Sequence, residues 1–357
     1  MTDLYYLSIS EAGALIAKGD LSPVEYVEAL LARIEKIDPK LDAFLVVAGD
    51  QARADAKTAE AEISGGNYRG PMHGIPYGLK DIIDYAGLKT TAHSKLLQDN
   101  VAETDATTTA KLKAAGGIFM GKMATHEVAI GGPSFDLPWP PARNPWNTDR
   151  HPGGSSSGSG AAVAAGLLPG ALGSDTGGSV RHPASMCNLA GIKPTYGRVS
   201  RAGVLPLSFS LDNVGPLTRT VADNAIMLTA ISGHDPRDPA SARAEAVDFT
   251  ADLDKGVKGL RIGLVRQFYT KDLDAQPEMA ASVDGAAEIL RDLGAVVEEV
   301  SMAPLSEYAA VNRVILLSEA YAIHEKWLQE MPGDYAHFTR ERLMPGAFIR
   351  ATHYVQA

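Results

Sequence analysis

Short apolar segments alternate with helical patterns along this chain, and this alternation restricts the fold more than any other feature of the sequence. The clearest example is residues 259–302, where the segments GLRIGLV and AVVEEVSM flank the helical pattern PEMAASVDGAAEILRDLG. A strand, a helix and a second strand in succession are typical of two parallel strands in one sheet with the helix packed on its face. The alternation therefore predicts a layered α/β architecture.

The same pattern recurs in the middle of the chain. Residues 104–122, TDATTTAKLKAAGGIFMGK, predict a helix, a turn and a strand, and residues 170–175, GALGSD, predict a short strand. The segment SGAAVAAGLL, residues 159–168, predicts a helix that is buried on most sides, because its residues are small and apolar all round. The apolar piece GIPYGL predicts a strand that ends close to Lys80.

The first 65 residues predict mainly helices. Ser22, Pro23 and Glu25 indicate a helix start with a capping box, in which proline occupies the first helical position. A second helix is expected over residues 52–63, with Gly65 just past its end.

Composition excludes several classes of protein. The 357 residues carry a formal net charge of −10 without a basic cluster, which argues against nucleic acid or an anionic membrane as a partner. The single cysteine, Cys187, excludes a disulfide framework within the chain and suits a reducing cytosol. No secretory signal or bilayer-spanning run is visible, and the nine histidines show no metal-binding spacing. We therefore expect a cytoplasmic protein with no metal and no cofactor.

The segment HPGGSSSGSG, residues 151–160, has several interpretations. A flexible linker is typical of this composition, but both flanks have the character of a folded core. Residues 154–158 match the G-x-S-x-G nucleophile elbow, yet that motif needs a strand directly before it, and RNPWNTDRHPGG indicates a loop. A phosphate-binding loop has its nearest formal match at GGIFMGKM, residues 116–123, where Met123 replaces the Ser or Thr that holds Mg²⁺.

Two further segments favour a fourth interpretation of the serine loop. They are GSDTGGSVRHPASMCN at residues 173–188 and GIPYGLKDIIDYAG at residues 74–87. Together with the serine loop they resemble the amidase signature family, in its stand-alone bacterial-type branch, from about Leu7 to the last residue. The resemblance implies an α/β/α sandwich with a large mixed central β-sheet flanked by helices. It also implies a single domain over 1–357, with a helical layer over 1–65 and an α/β core over 66–357 that lacks the C-terminal part of the family domain.

The resemblance implies a Ser-Ser-Lys catalytic triad. Ser179 is then the nucleophile, Lys80 is the base, and Ser155 is the bridging serine, preceded by a cis peptide bond at Gly154-Ser155. This assignment agrees with elementary chemistry, because a serine hydroxyl needs a base, and a lysine amine becomes one when burial lowers its pKa. A hydroxyl can also relay a proton, since it both donates and accepts.

The residues around the nucleophile are candidates for binding roles. Backbone amides in TGGS are expected to form an oxyanion hole; the residues assigned to it are Thr176, Gly177 and Gly178. The candidate substrate-binding residues are Gly131, Gly132 and Arg181. Each has a structural alternative: the two glycines can serve a simple turn, and Arg181 can form a local salt bridge with Asp175.

The function implied by the resemblance is hydrolysis of a carbon–nitrogen bond in a linear small-molecule amide through an acyl-serine intermediate. The expected partner is that small molecule, with no nucleic acid and no membrane, and a second copy of the chain is a further candidate partner. One alternative is the A subunit of a glutamyl-tRNA(Gln) amidotransferase, which releases ammonia from glutamine; its usual NMDEFAMG is replaced here by MATHEVAIGG. A second alternative is a non-catalytic scaffold with the same fold.

Overall fold

The computed structural model describes residues 3–245 and 247–357. The chain forms two compact units. The larger unit comprises Met1–Thr250 and Leu316–Phe348, and the smaller unit comprises Ala251–Ile315 and Ile349–Ala357. The domain boundaries drawn from the sequence, one domain over 1–357, stay a prediction.

Eight strands and twelve helices make up the regular structure of the described residues, and short 3₁₀ helices lie between some of them. The strands are β1 (Phe44–Val47), β2 (Pro76–Lys80), β3 (Ile118–Met123), β4 (Gly170–Asp175), β5 (Ala190–Gly191), β6 (Asn213–Thr218), β7 (Arg261–Leu264) and β8 (Val296–Glu299). The helices are α1 (Ile9–Lys18), α2 (Pro23–Ile37), α3 (Gly49–Ser64), α4 (Thr107–Ala114), α5 (Ser157–Ala164), α6 (Arg181–Cys187), α7 (Val221–Ile231), α8 (Gln267–Thr270), α9 (Pro277–Asp292), α10 (Leu305–Glu330), α11 (His337–Leu343) and α12 (Ala351–Gln356).

The larger unit is built on a mixed sheet of six strands in the order β1-β3-β2-β4-β6-β5. Strand β2 runs parallel to both β3 and β4, whereas β1, β5 and β6 are antiparallel to their neighbours. The strands β2, β3, β4 and β6 are buried along their whole length, as expected for strands with both faces covered. This mixed sheet flanked by helices confirms the fold class expected from the sequence.

The register of the sheet brings two motifs to one edge. Leu79 pairs with Leu172 across the parallel strands β2 and β4, so the carboxyl ends of both strands lie together. Lys80 is the last residue of β2, and Asp175 is the last residue of β4. The edge where parallel strands end is where α/β folds bind ligands.

Helix α5 follows the serine loop and explains the small residues there. A Cβ at Gly158 would lie 2.3 Å from the carbonyl oxygen of Ala43 and 2.5 Å from the amide nitrogen of Ala124. Only a glycine therefore allows the first turn of α5 to pack so closely against the backbone. The prediction of a buried helix after the serine loop is confirmed.

The N-terminal region contains one strand that the sequence analysis did not predict. Strand β1 lies between helices α2 and α3 and forms an edge of the sheet. Ser22 caps α2 by accepting hydrogen bonds from the amides of Val24 and Glu25. Helix α3 ends at Ser64, so Gly65 lies just past its end as predicted, and the next residue, Gly66, adopts the left-handed conformation.

The smaller unit contains the strand-helix-strand pattern predicted over residues 259–302. Strands β7 and β8 are parallel, with Ile262 paired to Val297, and α9 connects them. No helix in the described part of the chain has the length and apolar character needed to cross a membrane.

Candidate active site

Lys80 lies at the carboxyl end of β2 with its side chain fully buried. Its Nζ donates hydrogen bonds to Ser155 Oγ at 2.6 Å and to Ser174 Oγ at 2.8 Å. Burial lowers the pKa of Lys80 to about 7, against the opposing influence of the Asp212 and Asp175 carboxylates. Because buried amines lose the hydration that favours the ammonium form, a sizeable fraction of Lys80 is neutral near pH 7.

Ser155 is held in the loop that precedes α5, and the peptide bond Gly154-Ser155 is cis. Its carbonyl oxygen accepts hydrogen bonds from the His126 amide at 2.9 Å and from Thr125 Oγ1 at 3.0 Å. The His126 ring packs against Gly154, where a Cβ would lie only 2.1 Å from the ring. The glycine at 154 therefore makes room for His126, whose pKa is lowered to about 3 chiefly by burial and then by the charge of Lys80.

Ser179 lies in the turn that follows β4, and it is partly exposed. The amide of Ser156 donates a hydrogen bond to the carbonyl oxygen of Ser179 at 3.3 Å. The structure thus places Lys80 in direct contact with Ser155, and it joins the backbone of Ser179 to the residue after Ser155.

Asp175 organises the turn that carries Ser179. Its buried carboxylate accepts hydrogen bonds from the amides of Gly178 at 2.7 Å and Val180 at 3.1 Å. It also pairs with the Arg181 guanidinium through contacts of 3.0 and 2.9 Å. Burial alone would raise the pKa of Asp175, but the pairing with Arg181 and the backbone amides outweigh it and keep the pKa below its usual value.

These contacts bear on two of the predicted roles. The Gly178 amide donates its hydrogen bond to the Asp175 carboxylate. In this arrangement it is therefore not directed at a substrate oxygen. Arg181 forms an ion pair with Asp175, which the sequence analysis gave as the structural alternative to substrate binding. The substrate-binding role of Arg181 stays a prediction.

Asp212 is a residue of the site that the sequence analysis did not single out. Its carboxylate accepts hydrogen bonds from Thr176 Oγ1 at 2.6 Å and from the amides of Leu207 and Ser208 at 2.8 and 3.0 Å. Burial raises the pKa of Asp212, although these hydrogen bonds oppose the shift. Asp212 and Ser174 both line a cavity of about 200 Å³.

Gly131 and Gly132 pack against helix α11. A Cβ at Gly131 would lie 2.6 Å from Thr339 Oγ1, and a Cβ at Gly132 would lie 2.5 Å from the Phe338 ring. Arg342, also on α11, donates hydrogen bonds to the carbonyl oxygens of Ile130 and Gly131 at 2.9 and 3.2 Å. The two glycines therefore allow α11 to approach the loop, and their contact with substrate stays a prediction.

Ser174 and Asp212 could be found only partly from the sequence. Ser174 lies within residues 173–188, which carry the family resemblance, and Asp212 lies further along the chain in SLDNVGP. Nothing in their spacing marks either residue as a neighbour of Lys80. Over residues 3–245 and 247–357, no group of three or more His, Cys, Asp and Glu side chains is arranged to hold a metal ion.

Comparisons with known proteins identify the family of this chain. The sequence profile of the Amidase family matches residues 25–347. A curated relative from Roseiflexus castenholzii, the A subunit of glutamyl-tRNA(Gln) amidotransferase by name, is 47% identical over 323 residues, which cover 90% of this chain and 65% of the relative. The chain thus spans about two thirds of the length of that relative.

Two solved structures are similar in fold. One is described as an unexpected vestigial protein complex that reveals the evolutionary origins of an s-triazine catabolic enzyme; its TM-score is 0.92 at 36% identity, covering 98% of this chain and 76% of that chain. The other is a bacterial aryl acylamidase of the amidase signature family. Its TM-score is 0.87 at 29% identity, and the match covers 99% of this chain and 75% of the acylamidase chain.

The relative from Roseiflexus castenholzii overturns one expectation. The expectation of a small-molecule amide as the main partner, with no nucleic acid involved, is wrong, because that relative is by name the A subunit of glutamyl-tRNA(Gln) amidotransferase. The motifs on which the expectation rested describe the reaction centre, and they carry no information on the surfaces that bind other molecules. The family itself is established by the profile and by these relatives: this chain belongs to the amidase signature family.

Proposed function

We propose that this chain hydrolyses the side-chain amide of glutamine through an acyl-serine intermediate, as one component of a complex similar to glutamyl-tRNA(Gln) amidotransferase. The observation that carries the reaction is the buried Lys80 amine, held 2.6 Å from Ser155 Oγ with a pKa lowered to about 7. The 47% identity to the A subunit of an amidotransferase supports glutamine as the substrate.

Acylation begins when Ser179 Oγ attacks the carbonyl carbon of the amide. The hydroxyl proton of Ser179 passes to Ser155, whose own proton passes to the neutral Nζ of Lys80. The carbon–nitrogen bond then breaks as Lys80 returns a proton by the same route to the leaving nitrogen, which departs as ammonia.

Deacylation uses the same groups in the second half of the cycle. Water attacks the acyl-serine, and its proton passes through Ser155 to Lys80. The bond to Ser179 Oγ then breaks as Lys80 returns that proton through Ser155 to the serine oxygen. The products are glutamate and a regenerated serine hydroxyl. The sequence of steps requires no metal and no cofactor.

The negative charge on the substrate oxygen needs donors in the turn formed by residues 176–179. Since Gly178 donates to Asp175, we assign the oxyanion contacts chiefly to Thr176 and Gly177, with Ser179 as a further backbone donor. Gly178 then contributes by allowing the turn its left-handed backbone, because its φ is +130°.

Recognition of glutamine requires a cation for its α-carboxylate. Two cations lie near the site: Arg181, which pairs with Asp175, and Arg342, which donates to the carbonyl oxygen of Gly131 and whose charge acts on His126 of the same loop. We assign the α-carboxylate to Arg342, with Arg181 retained for the turn. A guanidinium suits this task, since its planar donors match the two oxygens of a carboxylate.

The ammonia released at Lys80 would be used by a partner subunit that acts on glutamyl-tRNA(Gln). We place the chain in the cytoplasm, where tRNA is used. A reducing compartment also suits it, because its one cysteine, Cys187, is free and buried.

A second candidate reaction, hydrolysis of an amide other than glutamine, is favoured by one observation. The segment MATHEVAIGG differs from the NMDEFAMG of amidotransferase A subunits, and its His126 packs directly against Gly154 of the serine loop.

Ammonia release from glutamine, asparagine and 4-aminobutanamide distinguishes the two candidates. The last compound is glutamine without its α-carboxylate, so we expect glutamine to be preferred by about tenfold or more. Arg342→Met should abolish this preference, and Arg340→Met on the same helix serves as the matched control. Faster hydrolysis of asparagine, or of an amide with no carboxylate, would contradict glutamine as the substrate.

A further inference from the structure

The turn that carries the nucleophile is held from the side by a second loop, residues 207–212. Asp212 closes this loop on itself through the amides of Leu207 and Ser208, and its other oxygen accepts from Thr176, the first residue of the turn. The pairing of Asp175 with Asn213 fixes the loop beside the end of β4. The position of Thr176 therefore depends on the position of Asp212.

A second buried carboxylate, Glu319 on α10, holds the same loop from its other side. Glu319 accepts a hydrogen bond from Ser210 N at 3.0 Å and further hydrogen bonds from the hydroxyls of Ser208 and Ser210. Glu319 is 7% exposed, and its hydrogen bond with the buried Ser208 hydroxyl is made away from competing water. Glutamate is seldom buried to this degree unless its oxygens are satisfied, and here the loop satisfies both of them.

We propose that Glu319 and Asp212 are positioning residues for the amide hydrolysis described above, Asp212 by fixing the turn of residues 176–179 and Glu319 by fixing Asp212. Glu319 is 111 residues from Ser208 in the chain, and it acts only through the loop. The proposal rests on the proposed function, because it assigns the turn to oxyanion stabilisation.

Asp212 also contributes charge to the base. The charges of Asp212 and Asp175 act on Lys80, and the charge of Lys80 acts in turn on His126. The charge of Arg201 acts on Asp212. The carboxylate of Asp212 favours the ammonium form of Lys80. Its removal should therefore lower the pKa of Lys80 further, so the base stays neutral at a lower pH.

The test uses a fluorophosphonate probe, which reports the nucleophile without requiring the natural substrate. Ser179 Oγ bonds to phosphorus, fluoride leaves, and the serine proton passes to Lys80. Intact-protein mass spectrometry measures the maximal labelling rate and the probe concentration at half that rate, and peptide mapping identifies the labelled serine. These two constants separate positioning of the turn from binding of the probe.

We expect Glu319→Ala to lower the maximal labelling rate by about tenfold or more, because small displacements of a reacting group have effects of this size. The half-saturating concentration should change little. Glu319→Gln should recover most of the rate, since its amide oxygen can still accept from Ser210 N. Glu330→Gln, an exposed position on the same helix, is the matched control and should stay within about twofold of the wild type.

Asp212→Asn should lower the rate and move the acid limb of its pH profile to lower pH by about half a unit. In the Asp212→Asn background, Glu319→Ala should have a much smaller effect than in the wild type, because both residues act on one turn. If Glu319→Ala fails to fold, Ser210→Ala tests the proposal in its place. Ser210 is exposed, and its substitution removes only one hydroxyl contact with Glu319.

A wild-type chain that is not labelled at Ser179 would overturn the proposed function and this proposal with it. A labelled wild type with equal rates in folded Glu319→Ala, or in Ser210→Ala, would overturn this proposal alone. Independent, multiplicative effects of Glu319→Ala and Asp212→Asn, or an acid limb that does not move in Asp212→Asn, would also overturn it.

Discussion

At the scale of single residues, the site depends on a buried lysine, because burial disfavours its ammonium form. Lys80 is fully buried, and its neutral amine donates to two serine hydroxyls. Such burial lowers the stability of the fold whenever the unfolded chain can bind the proton and the folded chain cannot. The proposed base is thus also a source of pH-dependent instability, as is common for functional residues.

We expect Lys80→Met to be more stable than the wild type at pH 6 and less stable near pH 10.5. The pKa of Lys80 falls from 10.5 to about 7 on folding, which corresponds to about 5 kcal/mol of destabilisation below pH 7. This destabilisation fades as pH rises from the folded pKa toward the unfolded one, because unfolded Lys80 then loses its proton too. The Lys80→Met substitution removes this destabilisation, but it also removes two hydrogen bonds, worth about 2 kcal/mol together.

Urea unfolding of both proteins at pH 6, 8 and 10 measures the difference. The free-energy advantage of Lys80→Met should shrink steadily over this range. An advantage that is independent of pH would show that Lys80 is charged in the folded protein.

At the scale of elements, close backbone approach sets the position of the serine loop. The first turn of α5 lies against the backbone of Ala43 and Ala124, and this contact is possible only because residue 158 is glycine. The loop before α5 thereby reaches the carboxyl end of β2, where Lys80 is located.

We expect Gly158→Ala to destabilise the fold by about 3 kcal/mol or more, because the added Cβ meets backbone atoms that cannot move aside. Gly285→Ala on α9 is the control: a Cβ there has no atom within 4 Å, so alanine should stabilise its helix by about 0.5–1 kcal/mol. Thermal unfolding of the two variants gives the comparison. A Gly158→Ala protein with wild-type stability would show that the packing of α5 is looser than described.

The elements could be predicted from the sequence further than the site could. Strand β4 and helix α5 follow from local apolar pattern and residue size, which act within a few residues. The pairing of Lys80 with Ser155 was expected only through the family resemblance. The contacts of Lys80 with Ser174, 94 residues away, and of Glu319 with the loop at Ser208 arise from strand register and helix packing. The local sequence pattern specifies neither strand register nor helix packing.

At the scale of the whole molecule, the proposed reaction centre is contained in a chain that spans 65% of the length of its relative from Roseiflexus castenholzii. Lys80, Ser155 and Ser179 all belong to the larger unit, as do Asp212, Glu319 and Arg342. The chemistry proposed for them can therefore be tested on this chain, whereas the proposed transfer of ammonia has to be tested with partner subunits.

We expect glutamine-dependent ammonia release to rise by about tenfold or more when the chain is co-expressed with subunits encoded by neighbouring genes. Partner binding can favour the competent arrangement of the site by mass action. The control is a Ser179→Ala chain in the same complex, which should release no ammonia. Equal rates for the isolated chain and the complex would contradict a role for partner subunits in the hydrolysis.

The most direct test of the central claim, that neutral Lys80 is the base for Ser179, is the pH dependence of fluorophosphonate labelling at Ser179. In the wild type we expect the second-order rate constant to rise with pH to a plateau, with a midpoint near 7, because the free enzyme must lose the Lys80 proton. Lys80→Ala and Lys80→Arg should each lose most of the rate while remaining folded by circular dichroism. Alanine carries no base, and the guanidinium of arginine does not deprotonate in this range. Ser155→Ala should lose less if water replaces the hydroxyl. A folded Lys80→Ala protein that labels Ser179 at a near-normal rate would contradict the claim.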